Sequence, residues 1–433
     1  MLSPLKKRFH RLKIQITQRY LKDYSLTRIP TNAKPNSHEF IRANSIKIRV
    51  NLCREDFFRI LTQIVFLYSV LCALYCVCYA QSQEYIRVAV LRDVSSLRIK
   101  IHGSYEVVDL AQNKVLYEAK DLKTTATTYK DGILLGKIQS QSDKLLIKTS
   151  TAELLLINGR RFRGDVVLIR QKNSHLCVIN YIGLEDYIKG VMYHEVSHYW
   201  PMEALKAQAI ASRAYALSQK EEKASFDYDV TSDIYSQVYG GRISERYRTN
   251  MAVDETRGMI LTYQDKIFPA YYHATCGGYT EDASLLWNID IPPLKGVACA
   301  FCKDSPHFRW HYVLSLDEIQ KKLTESRKLI GKIKDIVILS LDKSGRVVEL
   351  KILTDNKDFN IAAKDFRNII GPNIIRSTNL GLKIIDGDAV FEGFGWGHGV
   401  GLCQWGAYFM AKQGYTVEQI LKYYYPGSEL KRF

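Results

Sequence analysis

Residues 183–217 read GLEDYIKGVMYHEVSHYWPMEALKAQAIASRAYAL, a pattern that predicts two consecutive helices. Apolar residues recur at helical spacing over residues 184–198. Pro201 then opens a second helix, because proline is tolerated in the first turn of a helix and the residues after it are strong helix formers. We therefore expect two helices that meet near Glu195.

Residues 81–182, on the N-terminal side of these helices, predict a β-rich lobe. Short apolar runs such as IRVAVL and LRIKIHG follow one another, separated by Asn, Asp, Gly and Ser, as in strands joined by turns. Beyond the helices, short strands mix with helices predicted at 316–327 and 404–413, and residues 393–401 form a glycine-dense loop. The expected fold class is α+β, with two helices that carry Glu195 between a β-rich lobe and a second mixed lobe.

The N-terminal region predicts export. Residues 1–59 form a basic tail for which we predict no stable fold, and residues 60–80 carry no charge over about the 20 residues that cross a bilayer. Because basic residues crowd the N-terminal flank, that flank is expected in the cytoplasm and the rest of the chain across the membrane, in the periplasm or cell envelope. Cys78-Tyr79-Ala80 resembles a signal-peptidase site, but the 59-residue flank is long for a signal peptide. A cleaved signal peptide, a membrane anchor and a later start codon all stay open.

The charge distribution does not favour a nucleic-acid partner. The chain has a formal net charge of +16, but residues 1–80 hold 14 Lys and Arg against 4 Asp and Glu. The mild excess left over the remaining residues is more typical of solubility than of a nucleic-acid footprint. A hydrophobic share of 46% with 24% charged residues also excludes disorder throughout the chain.

Residues 194–198 read HEVSH, which matches the H-E-x-x-H pattern of zinc peptidases. In that pattern two histidines on one helix face bind zinc and the glutamate acts as a base. The following residues supply neither a Gly-x-x-His continuation nor a suitably spaced Glu as third ligand. Pro201 would also interrupt a helix that ran on through His198. A zinc metallopeptidase is therefore the least favoured alternative.

Four separated segments resemble the stage II sporulation protein D family of peptidoglycan lytic transglycosylases. In order, they are GLEDYIKGVMYHEV, WPMEALKAQAIASRAYAL, YHATCGGYT and GFGWGHGVGLCQWGAYFMAKQGYTVEQILKYYYPG. The resemblance covers the chain from about residue 86 onward and implies a catalytic region at 183–433. It places Glu195 at the position of the family's catalytic glutamate. One departure is that the family usually has Glu-Met-Pro where this chain has Glu195-Val196-Ser197, which concerns the local backbone rather than the acid.

The resemblance implies cleavage of the MurNAc–GlcNAc bond in glycan strands, preferably strands already stripped of stem peptides by an amidase, in cell-wall remodelling or division. One carboxylic acid can protonate the glycosidic oxygen and then, as carboxylate, accept the proton of the sugar's C6 hydroxyl. The product then ends in 1,6-anhydro-MurNAc, and no second carboxylate at hydrolase spacing is required. The alternative is a non-catalytic glycan-binding protein that enhances a cell-wall amidase. An amidase is an expected partner under both interpretations.

The resemblance also indicates residues that line the sugar cleft. Two basic residues on the second helix match basic positions of the family motif, and the segment DVTSDIYSQVYGG resembles the family's next loop. The glycine-dense loop would adjoin Glu195, and its larger residues, together with Trp405, could stack on or hydrogen-bond to a sugar. The expected substrate-binding residues are Lys206, Arg213, Gln237, Tyr239, Trp396 and His398, with Asp233 as a further candidate.

Five of the nine cysteines lie beyond residue 80, an odd number that argues against a complete disulfide framework. The tight spacing of Cys299 and Cys302, with distant soft ligands, is typical of structural zinc. Some members of the family resemble this chain in having Cys and His residues near the cleft. We expect a structural zinc site with three cysteines and one histidine, and the alternative is a disulfide between two of the cysteines. The expected ligands are Cys276, Cys299, Cys302 and His273, or His307 in place of His273.

Overall fold

The computed structural model describes Thr62 and residues 84–149, 154–326 and 331–433. By its contacts the chain divides into Met1–Tyr79 and Ala80–Phe433, and all that follows concerns the second unit. The basic tail, the apolar segment at 60–80 and its signal-peptidase site lie outside the described residues, apart from Thr62. Within the described ranges, no helix combines the length and apolar character needed to span a membrane.

One large sheet of eleven strands dominates the N-terminal half of the described residues. In β2 the residues Leu97, Ile99 and Ile101 are buried while those between them are exposed, so a period of two builds one core face. The strands are β1 (Tyr85–Val94), β2 (Ser96–Asp109), β3 (Lys114–Tyr129), β4 (Gly132–Leu135), β5 (Ile138–Ser140), β6 (Lys144–Lys148), β7 (Leu154–Ile157), β8 (Arg160–Phe162), β9 (Asp165–Arg170), β10 (Leu176–Gly183) and β11 (Val230–Thr231). Their order is β11-β1-β10-β9-β6-β2-β3-β4-β5, and β7 pairs with both β2 and β8.

Two helices follow this sheet. Helix α1 (Leu184–Glu195) begins where β10 ends, and α2 (Met202–Glu222) follows a short turn. Pro201 stands immediately before α2, where its missing N–H removes no helical hydrogen bond. The buried residues of α1 recur at helical spacing, whereas α2 is buried on almost every side. Its many alanines allow neighbouring elements to approach that closely.

The predicted first helix is shorter than expected. It was expected to reach residue 198, but Val196 is extended, with φ −142° and ψ 150°, and α1 ends at Glu195. The Trp200 backbone N–H then donates to the Ser197 carbonyl in a turn that leads to Pro201. The turn places the Glu195 side chain at the C-terminal end of a helix.

The remaining elements complete a mixed α/β fold. The helices are α3 (Tyr247–Glu255), α4 (Ala283–Trp287), α5 (Leu316–Glu325), α6 (Ala363–Ile370), α7 (Gln404–Lys412) and α8 (Val417–Tyr424), with 3-10 turns at Gly241–Ser244, Pro292–Leu294 and Phe301–Asp304. The strands are β12 (Met259–Tyr263), β13 (Lys266–Ile267), β14 (Tyr272–His273), β15 (Arg309–Ser315), β16 (Ile333–Leu341), β17 (Val347–Thr354), β18 (Phe359–Ala362), β19 (Leu380–Ile385), β20 (Asp388–Phe394), β21 (Leu402–Cys403) and β22 (Glu429–Arg432).

Separate hydrophobic cores divide this architecture. The large sheet and α1 share one core. A second core joins one side of α2 to α7, α8 and β12. A third lies within residues 309–391, where two three-stranded sheets, β15-β20-β19 and β16-β17-β18, pack with α5 and α6. This third core defines the smaller lobe, which contributes one wall of the cleft described below.

Candidate active site

A cleft of about 690 Å³ contains Glu195. Several parts of the chain line it: the end of α1, the segment at 234–238, β14, α6, the glycine-dense loop and the start of α7. Trp396, His398 and Trp405 are among the lining residues, so the structure brings the aromatic residues expected from the sequence to the same cavity as Glu195. The lining combines six tyrosine and tryptophan rings with polar side chains, a mixture suited to a polar ligand such as a sugar.

The pKa of the Glu195 carboxyl group lies close to neutral pH. The residue as a whole is half-buried, but its carboxyl group lies deep in the cleft, and burial raises its pKa to about 7. Hydrogen bonds from the Val238 backbone and from the side chains of Gln404 and Tyr272 oppose that rise, because they stabilise the carboxylate. A carboxyl group with a pKa near neutrality can both donate and accept a proton during one reaction.

The two side chains that bond Glu195 are themselves fixed by buried amides. The Gln237 side chain donates to the Tyr272 hydroxyl oxygen at 2.8 Å and accepts from the Tyr187 hydroxyl at 3.0 Å. On the other side, the Gln404 amide donates to the Gln208 side-chain oxygen at 3.3 Å. These contacts hold the donors around Glu195 in one arrangement.

A short parallel strand pair brings the two donors together. Strands β14 and β21 pair so that Tyr272 lies opposite Leu402 and His273 lies opposite Cys403. Since Gln404 directly follows Cys403, this pairing sets both Tyr272 and Gln404 beside Glu195, although they are far apart in the sequence.

The glycine-dense loop packs against β14 too closely for larger residues. A Cβ atom at Gly397, where φ is +116°, would lie 2.8 Å from the Cβ of His273. The Trp396 ring stands in the cleft, with the His307 ring 4.8 Å away and the Arg376 guanidinium 4.8 Å from its centroid. The His398 ring is neutral, since burial lowers its pKa to about 3.

His398 lines the cleft, and its ring hydrogen-bonds to backbone groups of the loop and of β14. Its Nδ1 accepts the backbone N–H of Val400 at 3.1 Å, and the ring also hydrogen-bonds to the Tyr272 backbone. His398 therefore forms part of the cleft wall. The sequence analysis expected it to bind substrate, but its ring is already engaged with backbone groups.

The two basic residues of α2 do not reach the cleft, which corrects their assignment to substrate binding. Arg213 is fully buried and donates two hydrogen bonds to the Glu185 carboxylate, at 2.8 and 3.0 Å. Lys206 pairs with Glu203 at 3.0 Å and with Glu255 at 2.9 Å. Both residues connect α2 to its neighbours. The sequence misplaced them because helical spacing alone cannot tell which side of a fully surrounded helix faces the site.

The sequence analysis placed Tyr239 and Gln237 in the sugar cleft, but the structure places both behind it. The Tyr239 ring is buried, and its hydroxyl donates to the Asn180 side chain at 2.9 Å, so it belongs to the core beneath the cleft. Gln237 acts behind Tyr272 rather than on a ligand, as described above. Asp233 bonds Thr231 and Arg92 outside the lining of the Glu195 cleft.

The geometry contradicts a helical H-E-x-x-H zinc site. Because α1 ends at Glu195, His194 and His198 do not stand one turn apart on a helix. The His194 Nε2 lies 2.6 Å from the Ser244 hydroxyl, and the His198 ring packs on Tyr199 at 4.0 Å. Neither histidine belongs to the set of side chains that could hold a metal ion in the described part of the chain.

That set is a group of four buried cysteines: Cys276, Cys299, Cys302 and Cys403. Their sulfur atoms all lie within 4.8 Å of one another, and those of Cys276 and Cys302 are 3.4 Å apart. Tetrahedral zinc with Zn–S bonds of about 2.3 Å places sulfur atoms about 3.8 Å apart, so the four thiols fit this ion. The Cys403 sulfur also accepts backbone N–H groups of Cys276 and Gly406, both at 3.3 Å.

Cys403 thus takes the place in the cluster that the sequence analysis gave to a histidine. The Nδ1–H of His273 donates to the Val400 carbonyl at 3.0 Å, and burial lowers the pKa of its ring. The His307 ring faces Trp396 and Trp405 in the cleft. Since β21 carries Cys403 alongside β14, the cysteine reaches the cluster through strand pairing that ligand spacing does not reveal.

Comparisons with known proteins identify relatives of this chain. Residues 172–263 match the family model described as Stage II sporulation protein, and residues 300–401 match a domain of unknown function, DUF8618. An uncharacterised protein of Brachyspira hyodysenteriae is 33% identical over 81% of this chain and 93% of its own length. The amidase enhancer of Bacillus subtilis is 28% identical over 69% of this chain, but this covers only 48% of the enhancer.

Stage II sporulation protein D of Bacillus subtilis is 32% identical over 67% of this chain and 85% of its own length. The protein of that name from Bacillus amyloliquefaciens is 32% identical over 58% of this chain and 74% of its own length. Both alignments extend well beyond the segment matched by the family model. The chain therefore belongs to the stage II sporulation protein D family.

Proposed function

We propose that this protein is an exported peptidoglycan lytic transglycosylase and that Glu195 is its acid and then its base. The observation that carries the proposal is that Glu195 supplies the single carboxyl group among the described residues that line the cleft. Glycosidases that use water commonly need two carboxylates, one on each side of the bond. A transglycosylase whose nucleophile is the sugar's own C6 hydroxyl needs one.

The proposed reaction has two proton transfers. Protonated Glu195 donates its proton to the oxygen of the MurNAc–GlcNAc bond as the bond to C1 breaks, which releases the GlcNAc hydroxyl. The carboxylate then accepts the proton of the C6 hydroxyl while that oxygen bonds to C1. The strand ends in 1,6-anhydro-MurNAc, and Glu195 is protonated again. A pKa of about 7 keeps both forms of Glu195 accessible near neutrality.

We also propose that the four cysteines hold a structural zinc ion. Cys276 follows β14 and Cys403 ends β21, so such an ion would fasten the strand pair that carries Tyr272 and positions Gln404. Zinc bound by four thiolates leaves no position for a substrate, so its contribution would be to the fold. The proton transfers of the proposed reaction involve no metal.

The test uses peptide-free glycan strands and mass spectrometry of the products. The protein should release fragments with anhydro ends, and Glu195→Gln should abolish release while glycan binding persists. Glu325→Gln, which changes an exposed carboxyl group on α5, is the matched control and should stay active. If Glu195→Gln keeps full activity, the assignment of the acid is wrong.

The similarity to a protein named amidase enhancer favours one alternative, a non-catalytic glycan-binding partner of a cell-wall amidase. This alternative would be supported if the protein bound glycan strands and accelerated an amidase but released no anhydro ends. An amidase remains a proposed partner in either case.

A further inference from the structure

A second cavity, of about 310 Å³, adjoins the cleft that contains Glu195. The two share part of their lining, including Tyr235, Tyr272, Arg367 and His398, so they lie side by side. The outer wall of the second cavity comes from α6 of the smaller lobe and from α4. A sugar chain that passes Glu195 can therefore extend into it.

Two cations of α6 point to an anionic ligand in this second cavity. Lys364 and Arg367 line it one helical turn apart, and none of the described lining residues is an Asp or Glu. No ion pair of the described residues includes either cation: the Lys364 ammonium donates to the Leu286 carbonyl, and one Arg367 terminal nitrogen donates to the Arg376 carbonyl. The Nε of Arg367 is buried without a hydrogen-bond partner.

Arg367 is half-buried, and its buried Nε has no hydrogen-bond partner, so a ligand that supplies a counter-charge would stabilise it. Arg367 stays charged at neutral pH, since burial lowers its pKa only to about 10. Its planar guanidinium group suits a carboxylate, which accepts two parallel N–H groups. The same cavity is lined by the rings of Tyr271 and Trp287, which stack at 4.2 Å and offer an apolar surface to a sugar ring.

We propose that the second cavity binds a carboxylate-bearing sugar of the glycan strand, with Arg367 and Lys364 on the carboxylate. In peptidoglycan that group is the lactyl carboxylate of MurNAc, which is free only when no stem peptide is joined to it by an amide bond. The inference rests on the proposed glycan function. Under this inference, Arg367 distinguishes strands without stem peptides from strands that carry them.

Binding of two forms of one ligand tests the proposal. Peptide-free glycan strands are compared with the same strands after their lactyl carboxyl groups are converted to carboxamides, using the Glu195→Gln protein so that no strand is cut. The Glu195→Gln protein without further changes should bind the free acid about tenfold more tightly than the carboxamide form, the size of one charge-assisted hydrogen bond. Arg367→Met should lose this preference through weaker binding of the acid, with the carboxamide form bound as before.

Two further variants serve as controls for this experiment. Lys364→Met, a change at an exposed position that is safe for folding, should reduce the preference in part, and Arg98→Met, an exposed arginine on β2, should leave it intact. Equal binding of both forms by the parent protein overturns the carboxylate subsite, even if anhydro ends are released from stripped strands. A preference that disappears in Arg367→Met supports the subsite even if no cleavage is ever seen. Failure to bind either form overturns both proposals.

Discussion

Replacement of Tyr272 by Phe should move the pH dependence of cleavage upward. The first proton transfer requires protonated Glu195, so the rate should fall as pH rises through the Glu195 pKa of about 7. The Tyr272 hydroxyl stabilises the carboxylate and so lowers that pKa. Without the hydroxyl, the pKa must rise, and the basic limb of the rate profile must move to higher pH.

The size of the shift follows from the hydrogen bond that is lost. A hydrogen bond to a charged group contributes about 1.5–3 kcal/mol, and one pKa unit corresponds to about 1.4 kcal/mol. Two other donors, Val238 and Gln404, remain and the cleft is open to water, so we expect the lower end, about one unit. At pH 8 about a tenth of Glu195 would be protonated in the parent protein and about half in the variant.

The assay is the initial rate of anhydro-end release from peptide-free glycan between about pH 5 and 9. The Gln237 amide loses an acceptor in the variant but still lies within 3.3 Å of the Ser212 carbonyl, so folding should persist. Tyr247→Phe, at a tyrosine that is 81% exposed, serves as the matched control and should leave the profile unmoved. A basic limb at the parent position or at lower pH in Tyr272→Phe would refute the role given to this hydroxyl.

Three further predictions concern stability and metal content. Cys403→Ser should lower the zinc content and the melting temperature of the purified protein, whereas His273→Ala should keep its zinc; elemental analysis that finds equal zinc in both variants contradicts the four-cysteine site. Arg213→Met should destabilise the protein by about 3–5 kcal/mol in urea unfolding, because it leaves the largely buried Glu185 carboxylate unpaired; Lys206→Met, which removes a pair whose Glu255 partner is exposed, should cost under about 1 kcal/mol. Gly397→Ala should lower both stability and glycan affinity, since φ is +116° and the added Cβ would meet His273; unchanged binding in a calorimetric titration would show that the loop tolerates the side chain.

Local patterns in the sequence were sufficient for the two helices that carry Glu195, the proposed acid. The period of the apolar residues marks α1, and Pro201 marks the start of α2, because both signals act over a few residues. The end of α1 was predicted three residues too late. Apolar spacing continues past Glu195, but the backbone turns there to meet α2, which is a tertiary effect.

The partners of the acid could not be predicted in the same way. Tyr272 and Gln404 reach Glu195 only because β14 pairs with β21, and nothing local in either segment specifies that pairing. The same pairing explains why Cys403 joins the cysteine cluster in place of a histidine. Arg213 was misassigned because α2 is buried on nearly all sides, so its sequence has no polar face to mark the site.

The position of Glu195 as the last residue of α1 has an electrical consequence. The peptide dipoles of a helix add to a partial negative charge at its C-terminal end, which disfavours a second negative charge there by about 0.3–1 kcal/mol. The uncharged carboxylic acid is therefore favoured by the same turn that ends the helix. No proline follows Glu195 within two residues, yet the helix ends at Glu195, and the field at that helix end helps to hold a proton on its carboxyl group.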